Sequence, residues 1–395
     1  MKTIDRYNGQ GQIRNDSISL SCSFTISQMN NGRLIGESII EDDFQAQKLF
    51  DQSNARISGR TTDGYILVEE PIYITKFTEH NRISFVLNSL KILNESVSLT
   101  PKFVKYGLTN FIFDGIDWTS MPNGEQRRDK FTLSLGGKNI LVKQVNNYKE
   151  VSKIIKNEKG IDVTSEIIIS CEDKQELEEF SHLVTDISTL LSFARGTRIR
   201  WIYYTLLTGN NILIEERRIH SNTRPLYNGF EVISDNTPWE PDIKTFLESC
   251  YSYYQKFKTT LKLFVPIEYY LESKSHEIQS IKFLLASIAM ESLDANYRAW
   301  KSVKKRNEGG PPFRDVLDSL FKEFGLEGED FSFIQFRNAV VHEGLVEGLV
   351  GPQSNFIKEY YKLINQIDRI ILRILNYNSY YLDIRNNFKR VLLKT

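Results

Sequence analysis

Ser17-Ile18-Ser19-Leu20-Ser21-Cys22-Ser23-Phe24-Thr25-Ile26 alternates apolar with small polar residues without a break. Successive side chains of a strand point to opposite faces, so this segment reads as a β-strand with one buried face. Cys22 falls on the apolar side and is expected as a small buried hydrophobe. Working outward, shorter strands are expected at Arg33–Ile40, Arg56–Ser58, Tyr65–Val68, Ile83–Leu87 and Phe111–Phe113, with turn signals such as Thr62-Asp63-Gly64 between them. Phe131, Leu133 and Leu135 alternate up to Gly136-Gly137, after which Ile140–Val145 returns as a hairpin. Asn157-Glu158-Lys159-Gly160 is a turn before the β-branched Ile167–Ile169. Many short strands with frequent turns make a sandwich or barrel.

Period then changes from two to between three and four. Leu177, Phe180, Val184, Ile187, Leu191 and Ala194 mark a helix, with Gly196 as its stop. Arg198–Leu207 and Ile212–Glu216, separated by Gly209-Asn210, return to a β-hairpin, so the helix belongs to the β domain. From Pro241 onward helical period dominates, with helices expected at Ile243–Leu263, His276–Ala299, Phe313–Phe324, Asp330–Glu343 and Asn355–Asn376. In the last, Phe356, Tyr360, Leu363, Ile367, Ile370 and Ile374 form one apolar stripe, widened by Ile357, Tyr361, Ile364 and Ile371. That width suits a helix facing both a core and a partner. The chain thus reads as α+β and multidomain: a β-rich, sandwich- or barrel-like domain over 1–236 with one helix at about 173–195, and an all-α bundle over 239–395.

The chain has 395 residues, with 50 Lys and Arg balanced by 50 Asp and Glu, 41% hydrophobic and 12% aromatic residues. Such a composition excludes a disordered chain. Neutrality excludes a protein that coats nucleic acid over its whole surface, and leaves room for one local basic site. Cys22, Cys171 and Cys250 are far apart and odd in number, so neither a zinc site nor a disulfide framework is expected, and no cofactor is implied. Met1–Arg6 lacks the apolar core of a signal peptide, and runs such as Phe283–Met290 are too short for a bilayer. A cytoplasmic protein without a membrane partner is expected.

His80, His182, His220 and His276 lie in polar settings without metal-ligand spacing and read as surface residues. His342 differs. In Phe336-Arg337-Asn338-Ala339-Val340-Val341-His342-Glu343-Gly344, Asn338 and His342 are four apart on one helix face, with Arg337 flanking it. Gly344 places His342 in the last turn, where the negative end of the helix dipole favours imidazolium. An Arg, an amide and a readily protonated His at a helix end suit phosphate chemistry. The structural reading has Arg337 pair with Glu343 or Asp330 while His342 caps carbonyls.

Arg337-Asn338-x3-His342 resembles the R-x4–6-H signature of HEPN domains, in which a polar residue usually follows the Arg. Phe283–Leu293, containing Ala289-x-Glu291-x-Leu293, is similar to the "A-x-E-x-L" helix of the Apea-like HEPN branch, which carries a β-rich N-terminal domain. Ile57-Ser58-Gly59-Arg60-Thr61-Thr62-Asp63-Gly64-Tyr65 resembles an element of that N-terminal domain. The resemblance implies a metal-independent endoribonuclease of antiviral abortive infection, a toxin restrained by a trigger-sensing β domain. It also implies a homodimer through the helical domain, because each chain offers one suitable His and pairing brings two His and two Arg into one cleft. Arg337 then binds phosphate, His342 does acid or base work, and Asn338 either orients His342 or binds phosphate. Glu291 and Asp294 are candidate ion-pair partners for Arg337, or else pair within the helical core.

Lys301, Lys304, Lys305 and Arg306, ahead of Gly309-Gly310-Pro311-Pro312, make a basic loop that reads either as a solvated face or as a contact for RNA phosphates. Arg195, Arg198, Arg200, Arg217 and Arg218 are a second basic set. Two further functions compete with the nuclease: a non-catalytic dimerisation module carrying a β-sandwich binder, and a β domain that binds carbohydrate, which an exposed Trp118 favours.

Overall fold

The computed structural model describes residues 2–41, 54–78, 81–96, 100–120, 124–221, 230–343 and 355–393. Its strands begin with β1 (Thr3–Arg14), β2 (Ser19–Met29), β3 (Leu34–Ile40), β4 (Arg56–Thr61), β5 (Ile66–Thr78), β6 (Arg82–Leu87), β7 (Ser89–Leu93) and β8 (Phe103–Thr109). There follow β9 (Asp117–Ser120), β10 (Gln126–Leu135), β11 (Lys138–Gln144), β12 (Val163–Ser170), β13 (Trp201–Leu207) and β14 (Leu213–Ile219), with helices α1 (Tyr148–Glu158) and α2 (Leu177–Arg195) among them. The remainder is α3 (Asp242–Phe257), α4 (Phe264–Ser275), α5 (Gln279–Lys301), α6 (Phe313–Glu323), α7 (Phe333–Glu343) and α8 (Asn355–Ile374), closed by β15 (Tyr380–Asp383) and β16 (Lys389–Leu392). A mixed α+β chain with β-rich and helical parts is therefore present. The elements gather into two compact units: Met1–Ile112 with Asn139–Thr185 and Arg200–Pro225, and Phe113–Lys138 with Asp186–Ile199 and Leu226–Thr395.

In the first unit, β4, β1, β2, β3, β6 and β5 pair in that order, and β5 pairs back to β4, closing a six-stranded ring. The expected barrel is this ring. The alternation of 17–26 produces it directly: Leu20, Cys22, Phe24 and Ile26 point inward with Ile13, Ile57, Ile83 and Phe85, while Ser19, Ser21 and Ser23 stay outside. Each large apolar side chain buried there contributes about 1.5–3 kcal/mol. Closure needs glycine: β1 and β4 cross at Gly11 opposite Gly59, and a Cβ on Gly11 would lie 2.0 Å from the Ser58 carbonyl oxygen.

From β5 the sheet runs on through β7, β14, β13, β8, β12 and β11. Buried Arg218 on β14 ties this extension back to the ring, donating to Asp5 (2.6 Å), Tyr7 (2.5 Å), Gln28 (2.5 Å) and Glu216 (2.9 Å). Helix α1, whose Tyr148, Val151 and Ile155 are buried, packs on β12. The turn expected at 157–160 is the end of this helix, where Lys159 adopts a left-handed cap (φ +49°). Phe111–Phe113 is buried but outside any ladder, directly after β8. Helix α2 follows a capping box of Asp173 and Glu176 and stops at Gly196 (φ +61°), as its sequence predicts.

In the second unit the helix expected over 243–263 ends at Phe257, and a further helix that the sequence did not announce, α4, begins at Phe264. Pro266 stands in the first turn of α4; were α3 to continue, its ring would clash with the carbonyl of Lys262. Lys262 instead takes φ +44°. The apolar stripe of α8 is consumed within its own unit: Phe356, Tyr360, Leu363, Ile364, Ile367, Ile370, Ile371 and Ile374 are all buried, and Tyr361 is the member left exposed. Tyr361 and the half-buried Ile357, one turn apart, are what the stripe leaves uncovered.

Beneath α8, Lys274 of α4 is enclosed, donating to the Phe230 carbonyl (3.0 Å) and to Tyr270, whose hydroxyl donates to Asp368. Burial lowers the Lys274 ammonium to about 8, opposed by the charge of Asp368. Burial raises the Asp368 carboxyl to about 6, opposed by Lys274 and the Tyr270 hydrogen bond.

Candidate functional site

Helix α7 is set by its apolar side. The Asp330 carboxylate accepts from the Ser332 N–H (3.0 Å) just ahead of it, and Phe333, Phe336 and Val340 turn toward the core, with the Phe336 ring 6.5 Å from that of Phe283 on α5. The next residue round the helix from Phe336 is Arg337, which emerges half-buried toward α5. Its Nη2 lies 2.7 Å from Oε1 of Glu291, and its Nη1 donates to Oδ1 of Asn338 (3.0 Å). Among the partners expected for Arg337, Glu291 is the one found among the described residues; Asp330 pairs with Lys362 and Asp294 with Arg298, and the Glu343 side chain lies outside the described residues. Asn338 is exposed. His342 falls in the last turn of α7, and its side chain, like Gly344, lies outside the described residues.

The Ala289-x-Glu291-x-Leu293 segment divides by face. Ala289 and Leu293 are fully buried, leaving Glu291 at the surface. Ile288 and Val341, one turn from Glu291 and Arg337 on their helices, are exposed at 36% and 50%. The ion pair is thus flanked by uncovered apolar side chains.

The basic loop is only partly free. Lys301 stacks 3.8 Å over the Trp300 ring and pairs with Glu323 (2.5 Å). Lys304 and Lys305 are exposed, and the side chain of Arg306 lies outside the described residues. Buried Arg298 holds the loop: Nη1 donates to the Lys304 carbonyl (2.9 Å) and Nη2 to the Pro311 carbonyl (3.1 Å). Burial raises the Asp294 carboxyl beside it, with Arg298 opposing. A cavity of about 440 Å³ opens here, between the end of α5 and Phe313.

Four of the five arginines in the second basic set are held by carboxylates. Arg195 pairs with Glu231 and Asp235, Arg198 with Glu268 and Glu272, and Arg217 with Glu70, while Arg218 is the buried hub of the first unit. Their spacing in sequence carries no sign of these acids, which arrive from distant elements. His182 lies 3.9 Å from Glu178 one turn away, the half-buried His276 accepts from the Ile278 N–H, the half-buried His220 contacts the Leu87 carbonyl (3.1 Å), and His80 lies outside the described residues. All three cysteines are buried, and none is joined in a disulfide. Among the described residues, no cluster of His, Cys, Asp or Glu is arranged to hold a metal, and no helix is long and apolar enough to cross a membrane.

Sequence reasoning missed two features. One is a polar cleft of about 610 Å³ on the first unit, bordered by Asn8, Gln10, Glu37, Arg60 and Arg82 from β1, β3, β4 and β6. The other is the α5 cavity. Trp118, an open question in the sequence, is exposed (57%) beneath the Arg128 guanidinium. Residues 102–216, from the start of β8 into β14, match the family model described as YopA central domain. Comparison with curated proteins and with solved structures gives no match.

Proposed function

We propose that the helical unit is a metal-independent endoribonuclease of the HEPN type, working as a homodimer in antiviral abortive infection. The observation that carries this reading is the surface position of Arg337 and Asn338, one turn ahead of His342 and framed by exposed Ile288 and Val341. Apolar side chains around a charged motif suit a two-fold contact that brings two motifs together. Most of the α8 stripe is buried, so the Ile288 and Val341 rim carries that contact in this reading.

In the reaction, the ribose 2′-oxygen attacks the adjacent phosphorus and the bond to the 5′-oxygen breaks, leaving a 2′,3′-cyclic phosphate and a 5′-hydroxyl. One His342 accepts the 2′-OH proton and the other donates a proton to the leaving oxygen, each contributing about 10²–10⁴-fold. Arg337 stabilises the negative charge gathering on the phosphorane, and Asn338 orients His342 or the phosphate. The polar cleft on the β-rich unit is where a trigger binds in this reading.

The ion pair with Glu291 also favours a second reading, in which Arg337 serves only to join α7 to α5 and the unit is a non-catalytic module. Cleavage of RNA by purified protein in EDTA, with and without infection-derived extract, separates the two. The nuclease reading expects cyclic-phosphate ends that disappear in His342→Ala and Arg337→Ala; growth arrest and cleavage retained by both variants refute it.

A further inference from the structure

The cavity at the C-terminal end of α5 has the composition of a base pocket. Ala295, Ala299, Val303 and Phe313 give it apolar walls, one of them an aromatic ring able to stack on a planar ligand. Its polar edge is the Asp294–Arg298 pair. Arg298 Nε reaches both Asp294 oxygens (3.1 and 2.9 Å), while Nη1 and Nη2 each donate once, to the Lys304 and Pro311 carbonyls. The edge is therefore rigid before any ligand arrives. The Asp294 carboxylate keeps acceptor capacity, and Ser302 and Glu308 complete the polar part of the lining. Exposed Lys305 stands at the mouth, with exposed Lys304 next to it.

We propose that this cavity binds an amino-bearing nucleobase of single-stranded RNA, with the neighbouring phosphate on Lys305. Adenine, cytosine and guanine present an exocyclic N–H₂ at the base edge that can donate to Asp294; uracil has only its ring N3–H, set back between two carbonyl oxygens that a carboxylate repels, so it should bind less well. Placement ties the pocket to the motif. Asp294 and Arg298 lie one and two turns beyond Glu291 on the same face of α5, roughly 5–10 Å along the axis from the residue that holds Arg337. A strand lying along that face reaches both, so the cavity would choose the base near the cleaved bond. The assignment takes its substrate class from the ribonuclease reading.

The test is calorimetric titration of AMP, GMP, CMP, UMP and ribose 5-phosphate into the full-length protein, the Ala299→Phe and Phe313→Ala variants, and His342→Ala. Ala299 is exposed, so the larger ring fills the cavity without entering the core, and the unfolding midpoint checks this. The amino-bearing nucleotides should bind roughly tenfold or more tightly than UMP and ribose 5-phosphate. Ala299→Phe and Phe313→Ala should each lose that preference, and His342→Ala should keep it. Equal binding of all five probes, or an unchanged preference in both cavity variants, overturns the proposal. Cleavage of RNA without such binding rejects the pocket and leaves the nuclease; binding without cleavage does the reverse.

Discussion

Nη2 of Arg337 sits 2.7 Å from Oε1 of Glu291, so the side chain best suited to a phosphate is already held by a carboxylate. Both groups are about one-third exposed, and an ion pair in such a setting is worth roughly 0.2–1 kcal/mol. A phosphate can therefore displace Glu291 at small cost. Glu291→Gln should shift urea unfolding by less than about 1 kcal/mol while RNA cleavage stays equal or rises. A loss of cleavage as large as that of Arg337→Ala would mean that Glu291 positions the guanidinium.

The enclosed Lys274, Tyr270 and Asp368 respond differently. Removing one charge strands the other away from water, so Lys274→Met and Asp368→Leu should each cost about 3–5 kcal/mol. The double variant should cost less than either. A denaturant double-mutant cycle reads this directly, and additive losses would contradict a mutually dependent pair.

That pair also predicts a pH profile. The folded carboxyl of Asp368, near 6, exceeds its unfolded value of about 3.9, so its contribution is present below about 4 and is lost as pH rises through 6. The folded ammonium of Lys274, near 8, is below its unfolded value of about 10.4, so its contribution is present above about 10 and is lost as pH falls through 8. Together they place a trough between about pH 6 and 8. Unfolding free energy of the native protein minus that of Lys274→Met/Asp368→Leu, measured across pH, should show the trough; a flat difference refutes it.

Arg218 offers a geometric test of the β-rich unit. Its guanidinium serves Asp5, Tyr7, Gln28 and Glu216 at once and stacks on the Tyr203 ring (4.8 Å). A lysine has neither the fork nor the plane for this. Arg218→Lys should destabilise the unit by about 3–5 kcal/mol, seen as earlier unfolding of its tryptophan or tyrosine signals.

Local patterns that encode one element were readable. The 17–26 alternation and the α2 stripe with Gly196 both appear in the chain. What stayed hidden depends on distant partners. Ring closure requires Gly11 to meet Gly59, and no local period reports such a meeting. A stop before Pro266 was legible, whereas the helix that carries it, α4, was not read. The motif at Arg337 was visible as spacing, whereas its partner was a choice among acids that only packing of α7 on α5 resolves. Likewise, the α8 stripe was read correctly as apolar, but its width reflected burial on nearly all sides by its own unit.

The closed ring has a consequence for how the chain is made. Strand β6 is the last of the six to be synthesised, and it pairs with both β3 and β5. Until Leu87 has left the ribosome, each of those strands keeps one row of unpaired backbone groups, the form in which nascent chains join one another. Stalling translation before β6 should yield a product that self-associates, and release just beyond it should not.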